Sequence, residues 1–431
     1  MRSTISAWHV TKRPGKDPSA KNPANAVTRG KTNMTKPRLN TSVEIKDSLQ
    51  GVPTPTSVRI PIPGKLKPVV KKKQIVGRGQ VIAENPTKSA YGVGFEHASI
   101  DGMVEDILPD AILIGPIPAS KEGEEAPVPA RPEPCAELDS LAGEDLCRKL
   151  MELGVRTDRL HAARTLIING LNPEPGVLVS EQLIKDAQDT LKAGLQLLER
   201  AIKPGTVKLV VAAGKQLSLH GCTTVTASDA YPATIDPLVM LAATGAERPD
   251  NVDIISISDL YRFGRVAETK LPLTEAVVTV GDKVFRVPTG MRVQEVLDAV
   301  GLPYGTEWKI ALGGPMRGET IFDLGVGVPE ECTAITLVPV NLYPAVQPNP
   351  CINCGECVLV CPARIQPGML SRYAEFNMFE NARSQHVGAC LECGMCTFVC
   401  PAQRPVMQYL LLAKGQLAAQ DDMVSTCRLQ D

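Results

Sequence analysis

The stretch CINCGECVLVCP, residues 351–362, decides how this 431-residue chain is interpreted. A second stretch, CLECGMCTFVCP at residues 390–401, repeats its cysteine spacing. Zinc sites, disulfides and iron–sulfur clusters all use cysteine. The spacing within each run is the feature that distinguishes them.

Both runs have the spacing C-x2-C-x2-C-x3-C-P. Three cysteines at steps of three wrap a tight loop, so their thiolates converge on one face of a cube-shaped cluster. The fourth cysteine lies too far along to close the same cube, and in two-cluster ferredoxins it ligates the other cluster. The predicted first [4Fe–4S] site is Cys351, Cys354, Cys357 and Cys400. The predicted second site is Cys390, Cys393, Cys396 and Cys361.

The alternatives fit the pattern less well. Zinc sites usually show two C-x2-C pairs, and disulfides need an oxidising compartment. We expect Gly355 and Gly394 to let backbone amides approach the clusters, and Pro362 and Pro401 to turn the chain. The scattered cysteines are expected to be ordinary thiols: Cys135, Cys147, Cys222, Cys332 and Cys427.

The net charge of −1 hides an uneven distribution. Residues 1–40 carry nine Lys or Arg and one acidic residue, Asp17. We expect a basic disordered tail there; an organelle-type presequence and an arm for an acidic partner or anionic surface are alternatives. Aromatic residues make up only 4% of the chain, which argues against a nucleic-acid partner. No run reaches about 18 apolar residues, so we expect no membrane insertion and a cytoplasmic location.

Residues 57–117 predict short strands, with a tight hairpin at Asp101-Gly102. They resemble the barrel-sandwich domain of biotinyl and lipoyl carriers, although no modifiable Lys stands at the predicted tip. Six prolines within residues 116–134 indicate a linker.

An α/β unit with a parallel sheet is predicted next, from the apolar strands TLIING (165–170) and VKLVVAA (207–213). Between them the period of 3.6 residues from Leu183 to Ile202 predicts one helix, with Ser180 as its N-cap and Pro204-Gly205 as its end. Farther on, Gly281-Asp282 predicts a two-residue hairpin, and a helix follows, which suggests a small β-grasp unit.

In their order, these parts resemble the RnfC family, which provides one subunit of the Rnf electron-transport complex, and its soluble relatives, such as proline-reductase-associated and cobalamin-reductase-type proteins. The resemblance covers about residues 57–418. It rests on TLIINGLNPEP (165–175), YPATIDPLVMLAATG (231–245), ALGGPM (311–316) and the two cysteine runs.

The resemblance implies a multidomain α+β fold. We expect a barrel-sandwich hybrid at 41–117, a linker at 118–134 and a flavoprotein-like, Rossmann-like α/β domain at 135–266. A β-grasp of the soluble-ligand-binding type (SLBB) at 267–344 and a two-cluster bacterial ferredoxin domain at 345–418 follow, with a C-terminal tail at 419–431.

One departure bears on function. Family members that oxidise NADH carry a G-x-GGAGFP loop before the TLIING strand, which cradles the flavin phosphate. Residues 146–170 of this chain contain no such loop. We therefore expect two [4Fe–4S] clusters without FMN, and a chain that does not oxidise NADH by itself.

The resemblance then implies an electron-transfer subunit that relays single electrons between redox protein partners. These partners are Rnf-like membrane subunits, with the chain peripheral at the inner face of the cell membrane, or a soluble reductase. Two alternatives stay open: an FMN-dependent NADH dehydrogenase subunit, and a docking or scaffold subunit of a redox assembly.

Overall fold

The computed structural model describes residues 39–428, except 43, 46, 65, 87–88, 119–127, 161–163, 248 and 341–345. The predictions for residues 1–38, and for most of the linker, lie outside this part of the chain. The strands that it contains are β1 Leu39–Asn40, β2 Gln50–Gly51, β3 Val58–Pro61, β4 Lys67–Pro68, β5 Ile75–Val76, β6 Val81–Glu84, β7 Glu96–His97, β8 Gly102–Ile107, β9 Ala111–Gly115, β10 Thr165–Asn169, β11 Thr206–Ala212, β12 Thr223–Ala227, β13 Ala230–Tyr231, β14 Val252–Ser256, β15 Glu275–Val280, β16 Lys283–Pro288, β17 Trp308–Leu312, β18 Glu319–Ile321 and β19 Ala334–Pro339.

The α-helices in the same described ranges are α1 Gly143–Glu152, α2 Val179–Asp186, α3 Gln188–Ile202, α4 Asp236–Thr244, α5 Ile257–Thr269, α6 Val293–Val300, α7 Glu356–Leu359, α8 Pro367–Glu375, α9 Phe379–Ser384, α10 Met395–Phe398 and α11 Val406–Arg428. The described residues divide into two units. One contains residues 39–40, 230–232 and 346–428, and the other contains the remainder.

The larger unit contains the predicted parallel sheet, in the order β12-β11-β10-β14. Its central strands are almost wholly buried, as their continuous apolar sequence predicts. Helices α3 and α5 pack closely against each other at two glycines. A Cβ on Gly194 would overlap the Leu260 carbonyl oxygen, and one on Gly264 would overlap that of Thr190. Only glycine permits this approach.

The prediction of one helix capped by Ser180 is wrong in detail. The helix begins after Leu178, and Ser180 lies inside it, because its buried first turn extends nearer the strand than the apolar period showed. A break at Ala187 (φ −124°) separates α2 from α3. There the side-chain amide of Gln188 donates to the Ile184 carbonyl, replacing a backbone bond. The predicted end is confirmed, since α3 stops at Ile202.

A mixed sheet in the order β18-β17-β19-β15-β16-β2 follows in the same unit. The predicted hairpin is confirmed: β15 and β16 pair antiparallel across Gly281-Asp282. Gly281 has φ +67°, which such a tight turn requires. Helix α6 then packs its apolar face onto this sheet and ends at Gly301.

Two small antiparallel sheets, β3-β9-β8-β5 and β4-β6-β7, occupy residues 58–115. The prediction of a hairpin at Asp101-Gly102 is wrong. The hairpin joins β8 to β9 instead. The Asp101 carboxylate accepts a hydrogen bond of 2.7 Å from the Arg78 backbone amide and pairs with Arg131, so long-range contacts determine its conformation.

The smaller unit is built around the cysteine runs. Helix α11 continues to Arg428, so residues 419–428 of the predicted C-terminal tail are helical. Gly415 costs a helix about 1 kcal/mol relative to alanine, and this is too little to end a helix whose following residues are good helix formers. No helix in the described part of the chain is long and apolar enough to cross a membrane.

Candidate iron–sulfur site

The two cysteine runs adopt the same backbone conformation. Their equivalent residues lie 39 positions apart, as Cys351 and Cys390 do. The four-residue helices α7 and α10 occupy equivalent positions. Three equivalent pairs share a left-handed conformation, with φ between 55° and 80°: Asn353 and Glu392, Gly355 and Gly394, Arg364 and Gln403. The sequence repeat is therefore also a repeat of local structure.

The shared geometry of the turn explains the glycines in part. A Cβ on Gly355 would meet no atom within 4 Å. Within the protein, glycine is therefore favoured at position 355 by its positive φ and not by lack of space. The expected approach of backbone amides to a cluster involves atoms beyond the chain and stays a prediction.

The first predicted set of cysteines lies together. Burial raises the pKa of the Cys357 thiol, and negative charge on Cys351, Cys354 and Cys400 raises it further. A Cβ added to Gly368, at the start of α8, would lie 3.2 Å from Cys357 Sγ and 3.7 Å from Cys351 Sγ. A glycine there keeps space open beside these sulfurs.

The second predicted set lines a cavity. Cys361, from the first run, lies around this cavity with Cys390, Cys393 and Cys396, and α11 covers it with Met407 and Leu410. Burial raises the pKa of the Cys393 thiol to about 11, and the charges of Cys390 and Cys361 act in the same direction. The chain therefore brings Cys361 to the three cysteines of the other run.

The donor set and the cavity fit an iron–sulfur cluster. Burial keeps these thiols protonated, and four of them would ionise together only beside cations that offset their charge, which iron would supply. The cysteines whose side chains the structure describes, all but Cys427, are free thiols. Within the same residues, no group of three or more His, Cys, Asp or Glu side chains is arranged to hold a metal ion. The fit therefore rests on the paired loops and on the cavity lined by cysteine.

The two sites differ in their exposure to solvent. Cys354 is exposed, and beside it Ile352 is 64% exposed. The equivalent of Cys354 in the second run, Cys393, is buried. One site thus opens to the surface while the other is enclosed.

Tyr231 is a site residue that the sequence interpretation missed. It belongs to β13, which pairs with β1, and its hydroxyl donates a hydrogen bond of 2.7 Å to the Cys393 carbonyl oxygen. The tyrosine is 2% exposed. It precedes Cys393 by 162 residues, so no local pattern indicated the contact.

Arg404 is a second such residue. It is 1% exposed and pairs with Glu375 at 2.5 Å. It also donates to the Asn349 carbonyl at 2.9 Å and to Ser371 Oγ at 3.2 Å, and its guanidinium lies 4.8 Å from the Tyr409 ring centre. This residue joins the segment before Cys351 to α8 and α11.

Two motifs of the resemblance meet in the larger unit. Glu174, from TLIINGLNPEP, accepts hydrogen bonds from the backbone amides of Met316 at 2.7 Å and Arg317 at 3.2 Å. A Cβ on Gly314 would overlap this carboxylate. Burial raises the pKa of Glu174, although these hydrogen bonds and Arg317 act against it. The GGPM loop is therefore held by Glu174 as a packed turn.

A separate cavity of about 370 Å³ in the larger unit is lined in part by Arg78, Arg131, Arg262 and Arg265. Each of these arginines is already paired with a carboxylate. The charge around this cavity is thus largely compensated within the chain.

Comparison with known proteins gives one matching family model, the 4Fe-4S dicluster domain, at residues 343–408. Among solved structures, an NAD+-reducing [NiFe]-hydrogenase in the H2-reduced state is similar, with 13% identity and a TM-score of 0.39. That match covers 65% of this chain and 63% of the other.

Curated relatives match between 59% and 87% of the chain, and each is the C subunit of its complex. That of the Na(+)-translocating ferredoxin:NAD(+) oxidoreductase complex of Acetobacterium woodii is 27% identical over 59% of this chain and 63% of its own length. That of the ion-translocating oxidoreductase complex of Rhodobacter capsulatus is 26% identical over 86% of this chain and 80% of its own. The equivalent protein of Edwardsiella ictaluri is 28% identical over 87% and 52%.

The match thus spans less than two thirds of the relatives from Acetobacterium and Edwardsiella. The chain is a homologue of the RnfC proteins of ion-translocating oxidoreductase complexes over most of its length, and it carries a 4Fe–4S dicluster domain.

Proposed function

We propose that the chain is an iron–sulfur electron-transfer subunit of an oxidoreductase complex, which relays single electrons between redox protein partners through two [4Fe–4S] clusters. The observation that carries this proposal is the pairing of the cysteine runs, in which Cys361 of one run lies with three cysteines of the other. A bound cluster supplies a one-electron redox centre.

The proposed ligands are those that the spacing predicts. One cluster would be held by Cys351, Cys354, Cys357 and Cys400. The other would be held by Cys390, Cys393, Cys396 and Cys361. Because each site takes one cysteine from the other run, the two sites must lie close together, which is the arrangement that an electron relay requires.

The exposed site is the proposed point of contact with a partner. Ile352, Val358 and Leu359 are 64%, 42% and 48% exposed and lie in the same run as the exposed Cys354. Apolar side chains at the surface favour contact with another protein. We place the partner's redox centre on this side.

The finer fold assignments are part of this proposal. Two small antiparallel sheets at residues 58–115 are compatible with a barrel-sandwich hybrid. The parallel sheet is compatible with a flavoprotein-like, Rossmann-like domain, and the sheet of β15 to β19 with an SLBB β-grasp. The domain boundaries given above accompany these assignments.

We infer that the chain does not use FMN. The missing glycine-rich loop supports this inference, and so does Glu174, whose carboxylate is engaged by Met316 and Arg317. An FMN-dependent NADH dehydrogenase subunit and a docking subunit stay as alternative functions. The proposed partners are Rnf-like membrane subunits, to which the chain would bind peripherally, or a soluble reductase.

The test is to purify the protein without oxygen, measure iron and sulfide per chain, and record the visible absorbance. We expect about eight irons, bleaching by dithionite and no bleaching by NADH. Bleaching by NADH with bound flavin would favour the dehydrogenase, and a chain without iron after anaerobic purification would overturn the proposal.

A further inference from the structure

An ion pair lies directly against the second cysteine run. The Lys414 ammonium, on α11, pairs with the Glu392 carboxylate and donates a hydrogen bond of 3.3 Å to the Cys390 carbonyl oxygen. The Glu392 backbone amide in turn lies 3.4 Å from Cys390 Sγ. The two side chains are 29% and 38% exposed. Both charges are thus partly shielded from water and next to a proposed ligand.

The first run is different at the equivalent positions. Asn353 replaces Glu392, and its side-chain oxygen lies 3.7 Å from Cys351 Sγ. Glu375 replaces Lys414, and it pairs with Arg404. The backbone repeats between the two runs, whereas these charges do not. The two sites are therefore expected to be electrically unequal.

Fixed charges beside an iron–sulfur site alter its reduction potential. Reduction adds one electron to the site, so its negative charge grows by one unit, and no bond forms or breaks. A nearby cation favours that change and a nearby anion opposes it. While the pair is intact the two effects largely cancel, and the removal of either partner leaves the other uncompensated.

We propose that Lys414 and Glu392 are positioning residues that set, in opposite directions, the reduction potential of the site that contains Cys390. This inference rests on the proposed function, because it requires a cluster at that site. A purely structural role would be different: the pair would clamp α11 to the cysteine loop, and the loss of either residue would have the same consequence.

The experiment is a redox titration of the anaerobically purified full chain, with dithionite as the one-electron donor and electron paramagnetic resonance as the readout. Lys414→Met should lower the potential of one cluster, because it removes the cation and exposes the site to Glu392. Glu392→Gln should raise the potential of the same cluster. The other cluster should keep its potential in both variants, and Lys414→Arg should resemble the wild type.

Arg383→Met is the matched control. Arg383 pairs with Asp421 at 2.9 and 3.0 Å and so joins α9 to α11, but both side chains are well exposed and neither contacts a cysteine. Its removal should leave both potentials unchanged. The shifts in the Lys414 and Glu392 variants should also shrink as salt is added, since these side chains are partly exposed.

Shifts of the same sign in Lys414→Met and Glu392→Gln, or no shift at full iron content, would overturn the inference and leave the proposed function intact. If Lys414→Met loses iron, the Glu392→Gln variant alone tests the inference, and the potential of the cluster at the Cys390 site must then rise in that variant. A wild-type chain without iron would instead refute the proposed function, so the two failures are distinguishable.

Discussion

The hydroxyl of Tyr231 donates a hydrogen bond to the backbone carbonyl of Cys393, although the two residues are 162 positions apart in the chain. Both belong to the smaller unit, and both are buried. A contact between a distant strand and a cysteine loop makes the stability of that loop depend on residues outside the repeats.

Tyr231→Phe removes this hydrogen bond and keeps the ring. A buried carbonyl that loses its donor costs about 1–2 kcal/mol, so the variant should lose its visible absorbance at a lower denaturant concentration than the wild type. Tyr304→Phe is the control, because the Tyr304 hydroxyl bonds to Asp298 at the surface. Equal midpoints for the wild type and Tyr231→Phe would show that the contact is not needed.

Double variants can test whether each proposed cluster takes its fourth cysteine from the other run. Cys361→Ser combined with Cys390→Ser removes two ligands of one proposed cluster, so about four irons should remain. Cys361→Ser combined with Cys351→Ser removes a ligand from each cluster, and almost no iron should remain. Iron analysis of anaerobic samples distinguishes them, and the reverse pattern would mean that each run closes its own cluster.

Arg404 is expected to stabilise the smaller unit. Arg404→Met removes the partner of Glu375 and two further hydrogen bonds. We expect a loss of about 2–3 kcal/mol in the free energy of unfolding, because a partly buried charge is left unpaired. Arg404→Lys should rescue little, since lysine cannot reproduce the planar fork. Arg372→Met, at an exposed position of α8, should change little by the same denaturation assay.

The buried His97 should make the folded protein less stable in acid. Burial lowers its pKa to about 4, against the raising effect of the neighbouring backbone of Glu152 and Phe95. The unfolded chain takes up a proton below pH 6.5 and the folded chain does not, so the free energy of unfolding falls as the pH drops from about 6.5 to 4, by about 3 kcal/mol at most.

His97→Gln removes this dependence. The quantity to measure is the difference in urea midpoint between the wild type and the variant, at pH 7 and again at pH 5. The contributions of all other titratable groups, which the two proteins share, then cancel. The advantage of the wild type should shrink at pH 5. A difference that does not change with pH would contradict the assignment.

The sequence predicted local features well. The turn at Gly281-Asp282, the strands at 165–169 and 206–212, and the end of α3 at Ile202 all depend on neighbouring residues, and the structure contains each of them. The candidate cysteines were likewise identified from spacing within twelve residues.

The features that the sequence did not predict depend on distant partners. Asp101-Gly102 has the composition of a hairpin turn. The Asp101 carboxylate instead accepts a hydrogen bond from the Arg78 backbone amide and pairs with the Arg131 guanidinium. The contacts of Tyr231 and Arg404 become visible only when the chain is folded, because the partners lie 162 and 29–55 positions away. Spacing within a motif identifies candidate ligands and gives no information on what surrounds them.

The unequal exposure of Cys354 and Cys393 should make the two proposed clusters differ in their sensitivity to oxygen. Dioxygen and other small oxidants attack iron–sulfur centres where solvent reaches a sulfur or an iron. The run that contains Cys354 offers that access, whereas Cys393 lies beneath the surface. Damage should therefore begin at the proposed cluster of Cys354, and a briefly aerated sample should contain chains that have lost this proposed cluster and kept the other.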